Sequence, residues 1–193
     1  ADADLIIVTA GVARKPGQTR LDLAKINVSI VKSITESIMQ YAKNPLILVV
    51  SNPADITTAT VLETSGLPSN RVIGSGTSLD TARFRYFLAQ KLNVNIKDIN
   101  AYVLGEHGDS QVPIFSSATV GAVPMEDYAA QIGVELDKAK LAEDTKVGGA
   151  EIIRRKGATF YGIAMAASCI VEAIMKDEDA VLPVAHVLDE SFG

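Results

Sequence analysis

With Cys169 as its only cysteine, the chain cannot close a disulfide on itself, so burial and hydrogen bonding must hold the fold. Basic tracts are also missing. Against 18 Lys and Arg stand 23 Asp and Glu, a formal charge of -5, which argues against nucleic acid as a partner, because phosphate binding needs clustered positive charge. No apolar run approaches the roughly 20 residues that span a bilayer. The amino-terminal ADADLIIV lacks the basic start of a signal peptide, so no membrane association and a cytoplasmic location are expected. Tryptophan is absent, aromatic residues make up 5%, and there are two histidines, His107 and His186. Such scarcity makes the setting of each histidine informative.

What is present is an ordinary globular composition, 48% hydrophobic and 21% charged. LIIVTAG at 5–11 and LILVV at 46–50 are unbroken apolar runs of the kind covered on both faces in a parallel sheet. Between them, Leu23, Ile26, Ile30, Ile34, Ile38 and Tyr41 recur every three or four residues and predict a helix over 18–43, stopped by Asn44-Pro45. A second helix is expected after SNPAD, a short strand at 71–74, and a third helix from Thr77 or Ser78 to Leu92. INAYVLG reads as another strand. From Gln111 the pattern changes to short alternating runs broken by Gly and Pro, as in antiparallel hairpins. Helical spacing then runs from about 136 to 176, interrupted near Lys156-Gly157, and the tail from Ala180 is expected to begin a further strand. Cys169, in AMAASCIVEAIM, is expected on a buried helix face. The fold class is therefore α/β, with a parallel-sheet domain over 1–75 followed by an α+β domain over 76–193. Strand-like runs near both termini suggest a chain that begins and ends in mid-fold.

Four polar stretches fall where open α/β sheets bind ligands, at or near strand ends: GVARKPGQTR, SNPAD, LDTAR and GEHGDS. His107, in the last, has a side chain that takes and returns protons near neutral pH. A carboxylate partner would fix its tautomer, and Glu106, Asp109 and Asp80 are all candidates. A metal site built on Glu106, His107 and Asp109 competes, though one histidine beside two acids does not match the usual ligand spacing. Asp80 and Arg83 are three apart and share a helical face, either as a surface ion pair or as part of a site. Arg14 and Arg20 stand on a Gly/Pro loop, where a guanidinium can grip a carboxylate through two parallel hydrogen bonds. Asn52 offers a side-chain amide at a strand end.

In order along the chain, TAGVARKPGQTRLDL, VVSNPAD, GSGTSLDTARFR, VLGEHGDSQVP and KGATFYGIAMA resemble the L-lactate and malate dehydrogenase family, the local matches lying nearest the bacterial L-lactate dehydrogenases. The resemblance implies part of a Rossmann-like NAD-binding domain followed by a substrate domain. It also implies reversible hydride transfer between NAD and a small 2-hydroxy or 2-oxo acid, and a homotetramer or homodimer. On that basis His107 is the proton acceptor, Asp80 its carboxylate partner, and Arg83 the clamp on the substrate carboxylate. Arg20 polarises the carbonyl. Asn52, Arg14 and Thr159 line the substrate site, while Gly11, Val12, Ser33, Val50, Asn52 and Ser75 lie near the cofactor. The G-x-G-x-x-G turn and the acidic residue that holds the ribose are not in this sequence.

Arg14 departs from the lactate pattern and votes for malate. Thr159 and GSGTSLDTARFRYFL vote for lactate, which is the reading adopted. Some bacterial relatives bind fructose 1,6-bisphosphate through an arginine and a histidine. Arg85 matches the first position but Asn100 stands at the second, which puts that effector in doubt. A non-catalytic structural module is the competing reading from another class, and a metal hydrolase built on His107 is a third. His186 is expected to be structural.

Overall fold

The computed structural model describes residues 3–12 and 20–188, and the chain divides into two units, Ala1–Gly76 with Val184–Gly193, and Thr77–Pro183.

In the first unit, strands β1 (Leu5–Val8), β2 (Leu46–Val49) and β3 (Val72–Gly74) form a parallel sheet in that order, with Leu5 beside Leu46 and Ile47 beside Val72. Parallel neighbours need a crossover, and the helices α1 (Arg20–Met39) and α2 (Ala54–Ser65) supply it. The core gathers Val8, Val31, Ile47, Val49, Val61 and Val72. Ile47, Leu48 and Val49 are buried without exception, as expected of an apolar run covered on both faces, whereas in β1 Ile7 is 46% exposed and the same expectation fails.

The helical period of α1 is as the sequence suggests, and its buried face is so only in part. Ile26 is 43% exposed, and Tyr41 stands beyond the helix at 71%, whereas Leu23, Ala24, Asn27, Val31 and Thr35 are buried. The buried stripe is a mixed polar one that keeps Leu23 and Ile38 of the expected set, Ile38 packing against the core, but passes beside Ile26, Ile30 and Ile34. Thr35 is accommodated because its hydroxyl donates to the Val31 carbonyl, 2.8 Å away, one turn back. The expected strand after Ala180 is reduced to a single antiparallel bridge between Ala185 and Gly74, so residues 184–188 group with the first unit and not with the second.

In the second unit, β4 (Ile99–Leu104), β5 (Val112–Val120) and β6 (Val123–Pro124) form an antiparallel sheet, with Tyr102 opposite Ile114 and Leu104 opposite Val112. Helix α3 (Ser78–Leu92) covers it with a stripe at helical spacing: Asp80, Thr81, Phe84, Leu88 and Leu92 are all buried. Phe84 meets Phe115 edge to face with ring centroids 5.0 Å apart, worth about 1 kcal/mol beyond the area the rings bury. Helix α4 (Met125–Gln131), for which the sequence pattern gives no expectation, anchors itself through Met125 and Ala129.

Two longer helices follow, α5 (Lys138–Lys156) and α6 (Tyr161–Lys176), separated where Lys156-Gly157 marks the break. Gly157 ends α5 with φ of 79°, a left-handed conformation that glycine adopts without steric cost. Near that end, hydrogen bonds from Arg154 and then Arg155 hold the Glu151 carboxyl down at about 2. Cys169 is exposed, contrary to the expectation of a buried face. Residues apolar or small on all sides of α6 hide which face is inward; Ile170 is the buried one, and Met165 and Cys169 lie on the outer side. No helix among the described residues is long and apolar enough to cross a membrane.

Candidate active site

Asp80 lies in the first turn of α3, one turn ahead of Phe84 on the buried stripe, with its side chain only 4% exposed. A buried carboxylate survives only if its charge is answered. Two groups answer it. The Arg83 Nη1 donates to Oδ1 at 3.1 Å, and the His107 Nδ1 lies 2.6 Å from Oδ2. The amino end of the helix adds a favourable field of about 0.3–1 kcal/mol for an anion in its first turn. Of the three carboxylates weighed as partners for His107, Asp80 is therefore a direct one, 27 residues away in sequence. Glu106 accepts a hydrogen bond from Ser110 inside the loop.

Because an ionised carboxylate only accepts, the imidazole must place its proton on Nδ1, and Nε2 becomes the nitrogen able to take another. His107 itself is carried on the loop that joins β4 to β5, where Gly105 turns the chain with φ of 85° immediately after the last strand residue.

What ties the end of β4 to the helix is a pair of threonines, of which sequence reasoning marks Thr77 only as a possible helix start and Thr81 not at all. The Thr77 hydroxyl donates to the Val103 carbonyl at 2.5 Å, and the Val103 N–H donates to the Thr81 hydroxyl at 2.9 Å. Thr77 and Thr81 flank Asp80 at a spacing of four residues, so one helical face both stitches the end of β4 and presents the carboxylate. Their signal in the sequence is the spacing T-x-x-x-T around an acid, which has no meaning until the strand beside it is known.

Arg83 is largely buried, and its guanidinium lies along Gly148 and Gly149 of α5. Thr159 falls in the connection between α5 and α6 and is partly buried. Arg85 donates from Nε to the Ala101 carbonyl at 2.8 Å and stacks over Tyr102, while Asn100 is exposed on β4.

In the first unit, Gly11, Val12, Val50, Asn52 and Ser75 all follow the carboxyl ends of the parallel strands. Ser33 does not join them: it is on an exposed face of α1, on the order of 20 Å along the helix from its first residue. Arg14 and the Arg20 side chain lie outside the described residues.

Asn27 organises this edge, and the sequence pattern does not reveal it. Its Oδ1 accepts from the Val12 N–H at 2.8 Å, and its Nδ2 donates to the carbonyls of Val12, at 3.2 Å, and Asn52, at 2.7 Å. A buried amide thus fastens the backbone after β1 to the backbone after β2. The available clue is a polar residue amid apolar helical spacing, which periodicity alone reads as an outward position. Asn27→Ala should cost about 2–4 kcal/mol, since it removes three part-buried hydrogen bonds that tie two backbone segments to one buried amide. A urea titration checks this; a midpoint unchanged within error would show the tether to be dispensable.

Gly11 packs directly on that amide, with φ of 154°, and a Cβ there would stand 3.1 Å from the Asn27 side chain. Backbone brought this near the helix, with Val12 open to solvent at the strand ends, fits a dinucleotide lying across the carboxyl edge of a parallel sheet. Among the described residues, no group of three or more His, Cys, Asp or Glu is arranged to hold a metal ion.

Residues 1–74 match the model of the lactate/malate dehydrogenase NAD binding domain, and residues 77–193 that of the lactate/malate dehydrogenase alpha/beta C-terminal domain. An L-lactate dehydrogenase of Bifidobacterium animalis subsp. lactis is 45% identical over the whole chain, and one of Limosilactobacillus reuteri 48%. The chain spans 61% and 60% of their respective lengths. Among solved structures, a minor L-lactate dehydrogenase from Enterococcus mundtii superposes with a TM-score of 0.92 at 46% identity, covering 97% of this chain and 60% of that one. A malate dehydrogenase from Picrophilus torridus gives 0.87 at 41%, covering 97% and 58%. With both halves matched in order and a carboxylate, an imidazole and a guanidinium joined in the second, the chain belongs to the lactate/malate dehydrogenase family.

Proposed function

We propose that this chain carries the proton-transfer and substrate-holding machinery of an NAD-dependent L-lactate dehydrogenase, interconverting lactate and pyruvate. The observation that carries the reading is the Asp80–His107 contact of 2.6 Å with Arg83 on the same carboxylate. When bound, NAD supplies the hydride acceptor. In lactate oxidation, His107 Nε2 takes the hydroxyl proton, and Asp80 stabilises the imidazolium that results. Arg83 holds the substrate carboxylate through its planar fork. Gly11, Val12, Val50, Asn52 and Ser75 are the residues proposed to meet the cofactor, and Thr159 to line the substrate pocket. Arg20 is proposed to polarise the substrate carbonyl, as an electrostatic stabiliser of the charge developing there.

Lactate is preferred over malate because the relatives at 45% and 48% identity are L-lactate dehydrogenases. Arg14 and the malate dehydrogenase neighbour support the second substrate. Steady-state assays with NADH should show kcat/KM for pyruvate above that for oxaloacetate by roughly tenfold or more. The reverse ranking would assign the chain to malate.

A further inference from the structure

Helix α5 carries two consecutive glycines in its interior, Gly148 and Gly149, where alanine is the better helix former. Neither sits in a left-handed conformation, so backbone geometry does not require them. What they touch does. A Cβ on Gly149 would stand 3.2 Å from Nη2, 3.4 Å from Nη1 and 3.6 Å from Cζ of Arg83. One on Gly148 would stand 3.4 Å from Cδ and 3.6 Å from Nε. The Arg83 side chain from Cδ outward is thus laid along two bare stretches of helix. At Gly149 a methyl group would come nearer than the roughly 3.5–4.0 Å at which such atoms rest.

We propose that Gly148 and Gly149 are positioning residues that form a recess seating the Arg83 guanidinium, so that α5 sets the direction in which the fork meets a substrate carboxylate. The proposal rests on the reading of Arg83 as the carboxylate clamp. Arg83 is held from one side by Asp80, through Nη1, and a single hydrogen bond leaves a long side chain free to turn about it. The recess supplies the second constraint. A methyl group at 149 pushes on the terminal nitrogens, and one at 148 pushes on the stem, so both alter the fork without touching the substrate. Displacement of a clamp by a fraction of an ångström weakens a bidentate contact more than it weakens a simple charge attraction.

The test is a double-mutant cycle on the full chain with its cofactor, measuring KM for pyruvate, KM for NADH, kcat and thermal midpoint for Gly148→Ala, Gly149→Ala, Arg83→Lys and the combinations. Gly149→Ala should raise pyruvate KM about tenfold and Gly148→Ala about threefold, with NADH KM unmoved and the midpoint unchanged or higher. Arg83→Lys should raise pyruvate KM about a hundredfold, since an ammonium cannot imitate the fork. In the lysine background, Gly149→Ala should change pyruvate KM by less than about twofold, because the group it displaces is gone. Equal losses in both backgrounds, or a wild-type pyruvate KM for Gly149→Ala beside a damaged Arg83→Lys, would overturn the recess. An undamaged Arg83→Lys would instead overturn the clamp on which it rests. Should Gly149→Ala fail to fold, Gly148→Ala tests the recess by its own effect, since lysine keeps the Cδ that the new methyl meets: a wild-type pyruvate KM for Gly148→Ala beside a damaged Arg83→Lys would overturn the recess.

Discussion

His107→Asn is expected to lower kcat/KM for pyruvate reduction by roughly 10²- to 10⁴-fold, the usual contribution of a positioned acid–base group. Asparagine is the informative replacement because its amide can take the place of the imidazole Nδ1 and keep donating to Asp80, while nothing remains at the position of Nε2. The loop that follows β4 is held by the threonine stitches to Val103 and by the turn at Gly105, neither of which uses the imidazole. Folding and NADH affinity should therefore survive, so that the loss lies in the chemical step. Stopped-flow single turnovers with saturating NADH separate the two. A variant that turns over at more than a tenth of the normal rate would remove His107 from proton transfer, and one that loses cofactor binding would give it a scaffolding role.

That His107 and Asp80 meet is only partly legible in the sequence. Apolar patterning, which depends on local spacing alone, places the histidine at the end of a strand and the acid at the start of a helix. Choosing Asp80 over Glu106 and Asp109 requires the resemblance to a family, since nothing in the spacing of residues 80 and 107 says which element lies beside which. The contact arises because α3 covers the sheet that contains β4, and Thr77 and Thr81 fix the register between them.

The misread positions share a cause. Helical period in α1 is visible, but of its isoleucines only Ile38 is packed against the core; the helix turns Asn27 and Thr35 inward, because their polar atoms find backbone partners there. In α6 so many positions are apolar or small that no face is singled out, and Cys169, expected inward, is exposed. The tail has the composition of a strand, yet pairing requires a neighbour in register, and among the described residues of the tail only Ala185 finds one. Gly148 and Gly149 carry no signal of their own, since the side chain that needs their smallness is some 65 positions earlier in the sequence. Local spacing gives the elements, while the identity of the inward face waits on partners that are distant along the chain.

Asp80→Asn should be as damaging as loss of the histidine, about 10³- to 10⁴-fold in kcat/KM, although the substitution changes no atom's position and only removes a charge. The reason lies in the order in which the amide must choose its partners. Arg83 can only donate, so the asparagine oxygen has to face it and the amide nitrogen has to face His107. A donor opposite Nδ1 forces the imidazole to accept there and to carry its proton on Nε2. The base is then present, in place and hydrogen-bonded, but in the wrong tautomer, and the imidazolium that would form loses its counter-charge. Stability should fall by only about 1–3 kcal/mol, because both hydrogen bonds are kept with one of them reversed. Kinetics and chemical denaturation on the same sample therefore distinguish the tautomer argument from general damage. Activity within tenfold of normal in a folded Asp80→Asn protein would mean that proton transfer does not depend on this carboxylate, and that the 2.6 Å contact serves only to hold the loop.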